Sequence, residues 1–545
     1  MMTTTIDGHS LTASAVLAVA RPDRTGARAR AALGEEARAA LTDTRAYIDA
    51  HFMHDDAPLM YSFNTGVGLF KDQRVRMDEM EAYQRLTVYA HATGIGEPFD
   101  AEAVRATMLL RANAFASNYS GPRVAVVDRL LDCLNAGIVP VIPQKGSVGA
   151  SGDLAPLAYL AAAICGFDEA EAFHDGRRMP ARAALEAAGL ATDFPLEAKD
   201  ASALINGSTV SLALGVIALE DMKRVLKHAE VALALTLECL RAEKAAFDPR
   251  VHRARPHKGQ AATARNVLRL LGDSERCTPE ARETLFPDEA RAPGAAPPPR
   301  VQDVYSLRCA PQVHGPVREA LAYIDGIIGT EINAATDNPL IVPEAAGERY
   351  VCISAGHFHG AYVAQAMDLL AITATDLGSI SERRLARLID PTLSYGLPRN
   401  LLAGKKGLNT GYATVQCSMS ALVMENRTLS MPGSVDSIPG KSNAEDHVSN
   451  STWCARKART VVENVETIVA GEILMAAQAL SLVESVAREH PLGAGTRAAL
   501  EAVRAVIPPA LSGDRWYHTE IAASVALVRS GAILEAVEAA VGPLE

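Results

Sequence analysis

The chain has 545 residues, 48% of them hydrophobic and 21% charged, with a formal net charge of −11. Such a composition buries a large core and reads as globular and soluble, while the acidic balance excludes a nucleic-acid surface, which needs clustered Lys and Arg. The eight cysteines, Cys133, Cys165, Cys239, Cys277, Cys309, Cys352, Cys417 and Cys454, form no C-x-x-C pair and are expected to be reduced thiols of a cytoplasmic protein.

In chain order, Leu11 to Ala20 is mostly apolar and ends in Ala-Val-Ala, but Asp7 and the lack of any Lys or Arg before it argue against a secretory signal. Residues 12–50 are Ala- and Arg-rich with helical spacing. The run Met60-Tyr61-Ser62-Phe63-Asn64-Thr65-Gly66-Val67-Gly68 ends that pattern. Its glycines allow a hinge, so Tyr61 is either part of a gating loop or an aromatic packed under a turn. Between Gln84 and Glu97, His91 lies on an apolar helical face, where a histidine is usually a satisfied core residue.

Gly146, Gly149 and Gly152 fall within seven residues, which lets the backbone take positive φ and approach itself closely. Their spacing matches neither the dinucleotide fingerprint nor the P-loop, and Asp153 breaks any Gly-x-Ser-x-Gly elbow around Ser151. A phosphate cradle or a plain turn remains open. Leu154 to Cys165 then reads as a helix buried on all sides. Phe167 to Phe194 turns polar around His174-Asp175-Gly176, as a small surface excursion would, and Asn206-Gly207 reads as a turn at a helix start.

The apolar runs Val210 to Leu219 and Ile473 to Leu482 fall short of the ~20 residues of a membrane span and are expected to be core helices. Strand alternation is scarce, so the fold is expected to be mainly α. Arg291 to Arg300, with four prolines, predicts a stiff exposed connector. If Val301 to Cys309 is helical, Gln302, Tyr305 and Arg308 fall within an arc of roughly 120°, as one pocket wall or as a solvated stripe. Glu331 to Leu340 reads as a helix end running into an Asn-Pro turn. His357 and His359 flank Phe358 with no third ligand at a useful spacing, so no metal is expected. Ser442-x-x-Glu445 is a capping box.

Ala150-Ser151-Gly152, followed by Asp153-Leu154-Ala155-Pro156-Leu157, resembles the self-cyclising tripeptide of the aromatic amino acid ammonia-lyase family, which includes the histidine, phenylalanine and tyrosine enzymes. The resemblance covers roughly residues 10–535, with its motifs in family order. It implies a long central helical bundle with an N-terminal region bearing a 4-methylidene-imidazol-5-one (MIO) electrophile. In that family the MIO forms from the residues matching Ala150, Ser151 and Gly152 with loss of two waters. The expected organisation is an N-terminal region over 1–205 with base loop and MIO loop, a central bundle over 206–480 with its connector near 288–300, and a helical C-terminal region over 481–545.

The resemblance further implies that Tyr61 is the catalytic base, with nearby donors or helix N-termini stabilising its anion. Tyr305 joins the catalytic set, and Arg308 clamps the substrate carboxylate. Asn206, Gln302, Asn333 and Phe358 are implied around the substrate, with His91 and Glu445 against its side chain. Ala90-His91 is nearest the Ser-His of the histidine type, whereas Val67, Thr209, His357 and Ala413 depart from the family pattern. Ammonia elimination from an aromatic L-amino acid, with L-histidine to urocanate foremost, is the expected activity. The alternatives are a tyrosine or phenylalanine ammonia-lyase, a 2,3-aminomutase, or a binding protein of this fold without MIO. A homotetramer acting on a small amino acid, with no membrane or nucleic-acid partner, completes what the resemblance implies.

Overall fold

The computed structural model describes residues 3–23, 25–344, 349–440 and 445–545. The capping box at Ser442 therefore lies outside the described residues, although Glu445 lies within them. The chain divides into two compact units, one comprising Met1–Ile217, Asp325–Asp368 and Pro432–Arg456 and the other Ala218–Ile324, Leu369–Met431 and Lys457–Glu545. Helices dominate both, as the sequence predicts.

In the first unit the helix Ala101–Ala116 is the innermost element, with every residue from Ala103 to Ala116 buried. Its two arginines are buried too, and their guanidinium groups are satisfied by main-chain carbonyls. Arg105 donates to Val19 and Leu134 oxygens, and Arg111 donates to the carbonyls of Ala203, Asn206 and Thr336, thereby fixing the loop around Asn206. Burial pulls the Arg111 pKa down to about 10, against the Asp337 and Asp153 carboxylates, which raise it.

Residues 12–50 are not helical throughout. Helices Ala13–Ala20 and Glu35–His51 are separated by a strand, Arg30–Leu33, that pairs in parallel with Thr3–Ile6. The Asn135 amide explains part of the difference, because it bonds both the N–H and the carbonyl of Ala31 at 2.9 and 2.8 Å. The polar excursion after Phe167 is a hairpin, Glu171–His174 with Arg177–Pro180, turning on Asp175 and Gly176. Both turn residues have positive φ, 50° and 74°, as a two-residue primed turn requires.

Thr209–Cys239 and Ser451–Val483 are far longer than the apolar runs that announced them. Length therefore does not exclude a membrane span; burial argues against one, since the most apolar windows of these helices are 94% and 83% buried inside the protein. Buried charges within them are in part paired. In the second unit, Arg384 and Glu472 are both fully buried and meet through two bonds of 2.6 and 2.7 Å, while Ser381 and Thr236 donate to the same carboxylate. The connector Arg291 to Arg300 is largely exposed and non-helical. It is anchored at both ends, Arg291 donating to the carbonyls of Arg282, Glu283 and Ala295, and Arg300 to those of Leu240 and Arg241.

Candidate active site

The helix Leu154–Ile164 is buried as its sequence predicts, and the tripeptide sits at its mouth with Ala150, Ser151 and Gly152 all buried. Gly152 has φ +83°, and a Cβ there would lie 2.3 Å from Ser451 Oγ, so conformation and space both demand glycine. Each tripeptide carbonyl is held. Ala150 O accepts from Gly360 N at 2.9 Å and from Ser449 Oγ at 3.0 Å. Ser151 O accepts from Ser451 Oγ at 3.1 Å, and Gly152 O from Ser147 Oγ at 2.6 Å and from Thr452 Oγ1. The Gly152 N–H has no acceptor among the described residues.

Three further helices begin here. Asp153 Oδ2 accepts from the amides of Val210 and Ser211 at 2.8 and 2.9 Å, at the start of Thr209–Cys239. Gly360 precedes Ala361–Leu388, and Ser451 opens Ser451–Val483. Helix N-termini carry partial positive charge, so the loop lies in a field that favours electron density on its carbonyl oxygens. Burial pushes the Asp153 carboxyl up to about 6, against four donors that favour the carboxylate.

Tyr61 stands on a loop whose backbone takes positive φ at Ser62 and Gly68. Gly68 N donates to the phenol oxygen at 3.2 Å. That donor matches the expectation of a stabilised anion, but the net direction does not. Burial first, then the Glu445 and Asp337 carboxylates, raise the Tyr61 pKa above its ordinary value. Glu445 also reaches the tripeptide loop, its Oε2 lying 3.2 Å from where a Cβ on Gly149 would be.

His91 closes the helix Met80–His91 and bonds Thr87 O through Nδ1 at 2.8 Å. A proton on Nδ1 leaves Nε2 of the neutral ring as an acceptor. Asn206 precedes Gly207, where a Cβ would lie 2.3 Å from the Arg111 guanidinium. Its amide faces Asp337 and the Asn338 carbonyl, each at 3.4 Å, beside the fully buried Lys199–Asp337 pair at 2.9 Å. Phe358 is half-buried. His359 stacks on His447 with ring centroids 5.7 Å apart, and no group of three potential metal ligands occurs among the described residues.

The Asn333 amide is engaged within the fold: the oxygen accepts from Leu11 N and the Asn113 amide, and the nitrogen donates to Leu11 O, which ties the N-terminal segment to a helix end. In the stretch from Val301 to Cys309 only Tyr305–Arg308 is helical, a single turn that Gln302 precedes. Asp303 accounts for this, because its carboxylate pairs with Arg300 and caps Glu243 N at 2.7 Å, holding the preceding residues extended. These residues belong to the second unit, where Gln302 is exposed and Tyr305 is 70% exposed. Arg308 lies 4.8 Å over the Tyr305 ring and donates through Nε to Asp303 O, while its terminal nitrogens have no partner among the described residues.

A model of the aromatic amino acid lyase family matches residues 11–505. The chain belongs to that family. A relative from Caldanaerobacter subterraneus named histidine ammonia-lyase is 42% identical over 530 residues, covering 97% of each chain. Histidine ammonia-lyase from Trypanosoma cruzi has the same fold, with TM-score 0.86 and 36% identity over 99% of this chain and 96% of that one. Tyrosine aminomutase from Streptomyces globisporus aligns over the whole of both chains with TM-score 0.88 and 32% identity. Family membership makes the tripeptide loop, not the glycine spacing, the informative part of the early sequence. Residues that sequence reasoning passed over, Ser147, Gly360, Ser449, Ser451 and Thr452, are those that hold it.

Proposed function

We propose that this chain is a carbon–nitrogen lyase that eliminates ammonia from L-histidine to give urocanate, with Ala150, Ser151 and Gly152 cyclised to MIO. The observation that carries the reading is the tripeptide itself, buried, held at all three carbonyls, and crowded so closely that no side chain fits at Gly152. An MIO ring fits that cradle, and it would supply an electrophilic carbon that turns the substrate amine into a leaving group.

Tyr61 is the base for the substrate β-proton. At neutral pH an ordinary phenolate costs about 4 kcal/mol to form, and the raised pKa of Tyr61 makes it dearer. A bound substrate ammonium brings positive charge that pulls the phenol back down, which couples its ionisation to binding. Arg308 keeps its terminal N–H groups for the substrate carboxylate, with Gln302 and Tyr305 beside it, and Asn206 and Phe358 are further substrate-binding residues. His91 and the Glu445 carboxylate face the substrate imidazole, one of them accepting from its single N–H. The exposure of Gln302 and Tyr305 supports a homotetramer in which other copies complete each site, and eight free thiols support a cytoplasmic enzyme.

The test is kcat/KM for L-histidine, L-tyrosine and L-phenylalanine, with the products identified. Histidine should lead and yield urocanate, and His91→Leu should lower the histidine value by roughly 10–100-fold, the cost of one or two unmade buried hydrogen bonds. A tyrosine value tenfold above histidine overturns the substrate, and a β-amino acid product makes the enzyme an aminomutase.

A further inference from the structure

We infer that Ser449 and the backbone N–H of Gly360 form an oxyanion hole for maturation of the tripeptide, acting on the chain's own Ala150 carbonyl. The inference rests on the MIO reading above and assigns the residues that make the ring close. Ring closure begins when Gly152 N attacks the Ala150 carbonyl carbon, and negative charge develops on Ala150 O. That oxygen is the one held by two donors, at 2.9 Å from Gly360 N and 3.0 Å from Ser449 Oγ. The attacking nitrogen, by contrast, is committed to no acceptor among the described residues.

The balance is complete without any further reactant. The new bond joins Gly152 N to the Ala150 carbon, and the Gly152 N–H proton passes to Ala150 O. That hydroxyl leaves as the first water with the proton of Ser151 N, giving a C=N bond. The Ser151 hydroxyl leaves as the second water with the proton of Ser151 Cα, giving the methylidene.

The surroundings serve the donors. Ser449 is buried, so bulk water does not readily replace its hydroxyl. A Cβ at position 360 would lie 2.6 Å from Ser451 Oγ and 3.1 Å from Ser449 Oγ, which is why a glycine brings its amide to Ala150. Ser451 and Thr452 bond the Ser151 and Gly152 carbonyls, which are not attacked. The arrangement thus separates one pair of donors on the reacting oxygen from others that merely fix the loop.

The experiment weighs the full-length chain after synthesis, following the appearance of a mass deficit of two waters. Removing one oxyanion donor slows an acyl-type addition by roughly 10²-fold or more, so Ser449→Ala should gain the deficit that much more slowly. Ser449→Thr, which keeps a hydroxyl, should mature near the wild-type rate, whereas the isosteric Ser449→Val should behave as Ser449→Ala. Circular dichroism and melting temperature identify variants that fold. Ser451→Ala, lacking a donor on an oxygen that is not attacked, should slow maturation much less. Equal maturation of folded Thr and Val variants, or a Ser451→Ala defect as large as that of Ser449→Ala, would overturn the inference. A wild-type chain that never loses two waters overturns the MIO reading itself and this inference with it.

Discussion

The tripeptide loop and the base loop belong to the same unit and are built in opposite ways. Ala150 to Gly152 is gripped from outside, by Ser147, Gly360, Ser449, Ser451 and Thr452. The base loop is tied mostly to itself, through Gly66 N to Gln73 O, Val75 N to Asn64 O and Gly68 N to Tyr61 Oη. Its tip exposes Leu69 and Phe70, which are 58% and 68% accessible. A positive-φ glycine sits in each, yet a Cβ at Gly68 would meet nothing within 4 Å while one at Gly152 would collide with Ser451. On the reading proposed above, an electrophile gains from a cage that fixes it before any substrate arrives, whereas a base that adjusts to an entering ammonium suits a loop with few external ties.

Five substitutions would break or sharpen this contrast. The largest effect is expected from Ser151→Ala, which removes the source of the methylidene and should lower kcat by roughly 10³-fold or more, because the cofactor carries the difficult chemistry; intact mass should show no loss of two waters. Next comes Tyr61→Phe, expected to cut kcat by about 10² or more while leaving the mass deficit intact. A normal kcat would remove Tyr61 from the role of base.

Glu445→Gln tests the electrostatics. Because Glu445 and Asp337 raise the Tyr61 pKa, the rising limb of kcat/KM against pH should lie on the alkaline side. Removing one of those charges should move that limb toward lower pH, and a limb that stays put would show that the carboxylate does not act on the phenol. The smallest effect is expected from Gly68→Ala, which meets only the backbone cost of a left-handed residue, about 1–2 kcal/mol. Gly152→Ala adds a steric clash to the same backbone cost, so its melting temperature should fall further, and differential scanning calorimetry of the pair measures the difference.

Much of this was legible in the chain because the signals are local. The apolar run after Asp153 gave its helix almost to the residue, and the polar stretch around His174-Asp175-Gly176 marked a surface excursion that the structure shows as a hairpin. What escaped notice depends on residues far away. Nothing near Ser449 or Gly360 indicates that both meet Ala150. The direction of the Tyr61 shift likewise depends first on burial by the folded chain and then on Glu445 and Asp337, each hundreds of residues distant. The one-turn helix at Tyr305–Arg308 was overextended for a related reason, since its length is limited by the bond between Asp303 and Glu243 N from another segment.

The separation in sequence between the tripeptide and its holders also sets a clock. Ser449, Ser451 and Thr452 follow their carbonyl partners by 299 or 300 residues. At roughly 5–20 residues per second, a ribosome needs about 15–60 s to make the intervening chain, so nascent protein carries the loop without those contacts for that long. On the reading proposed above, the reactive ring then appears only once the donors arrive with the last fifth of the chain, when the fold that shields it is also within reach. Cellular thiols and amines would therefore meet no exposed electrophile on an unfinished polypeptide.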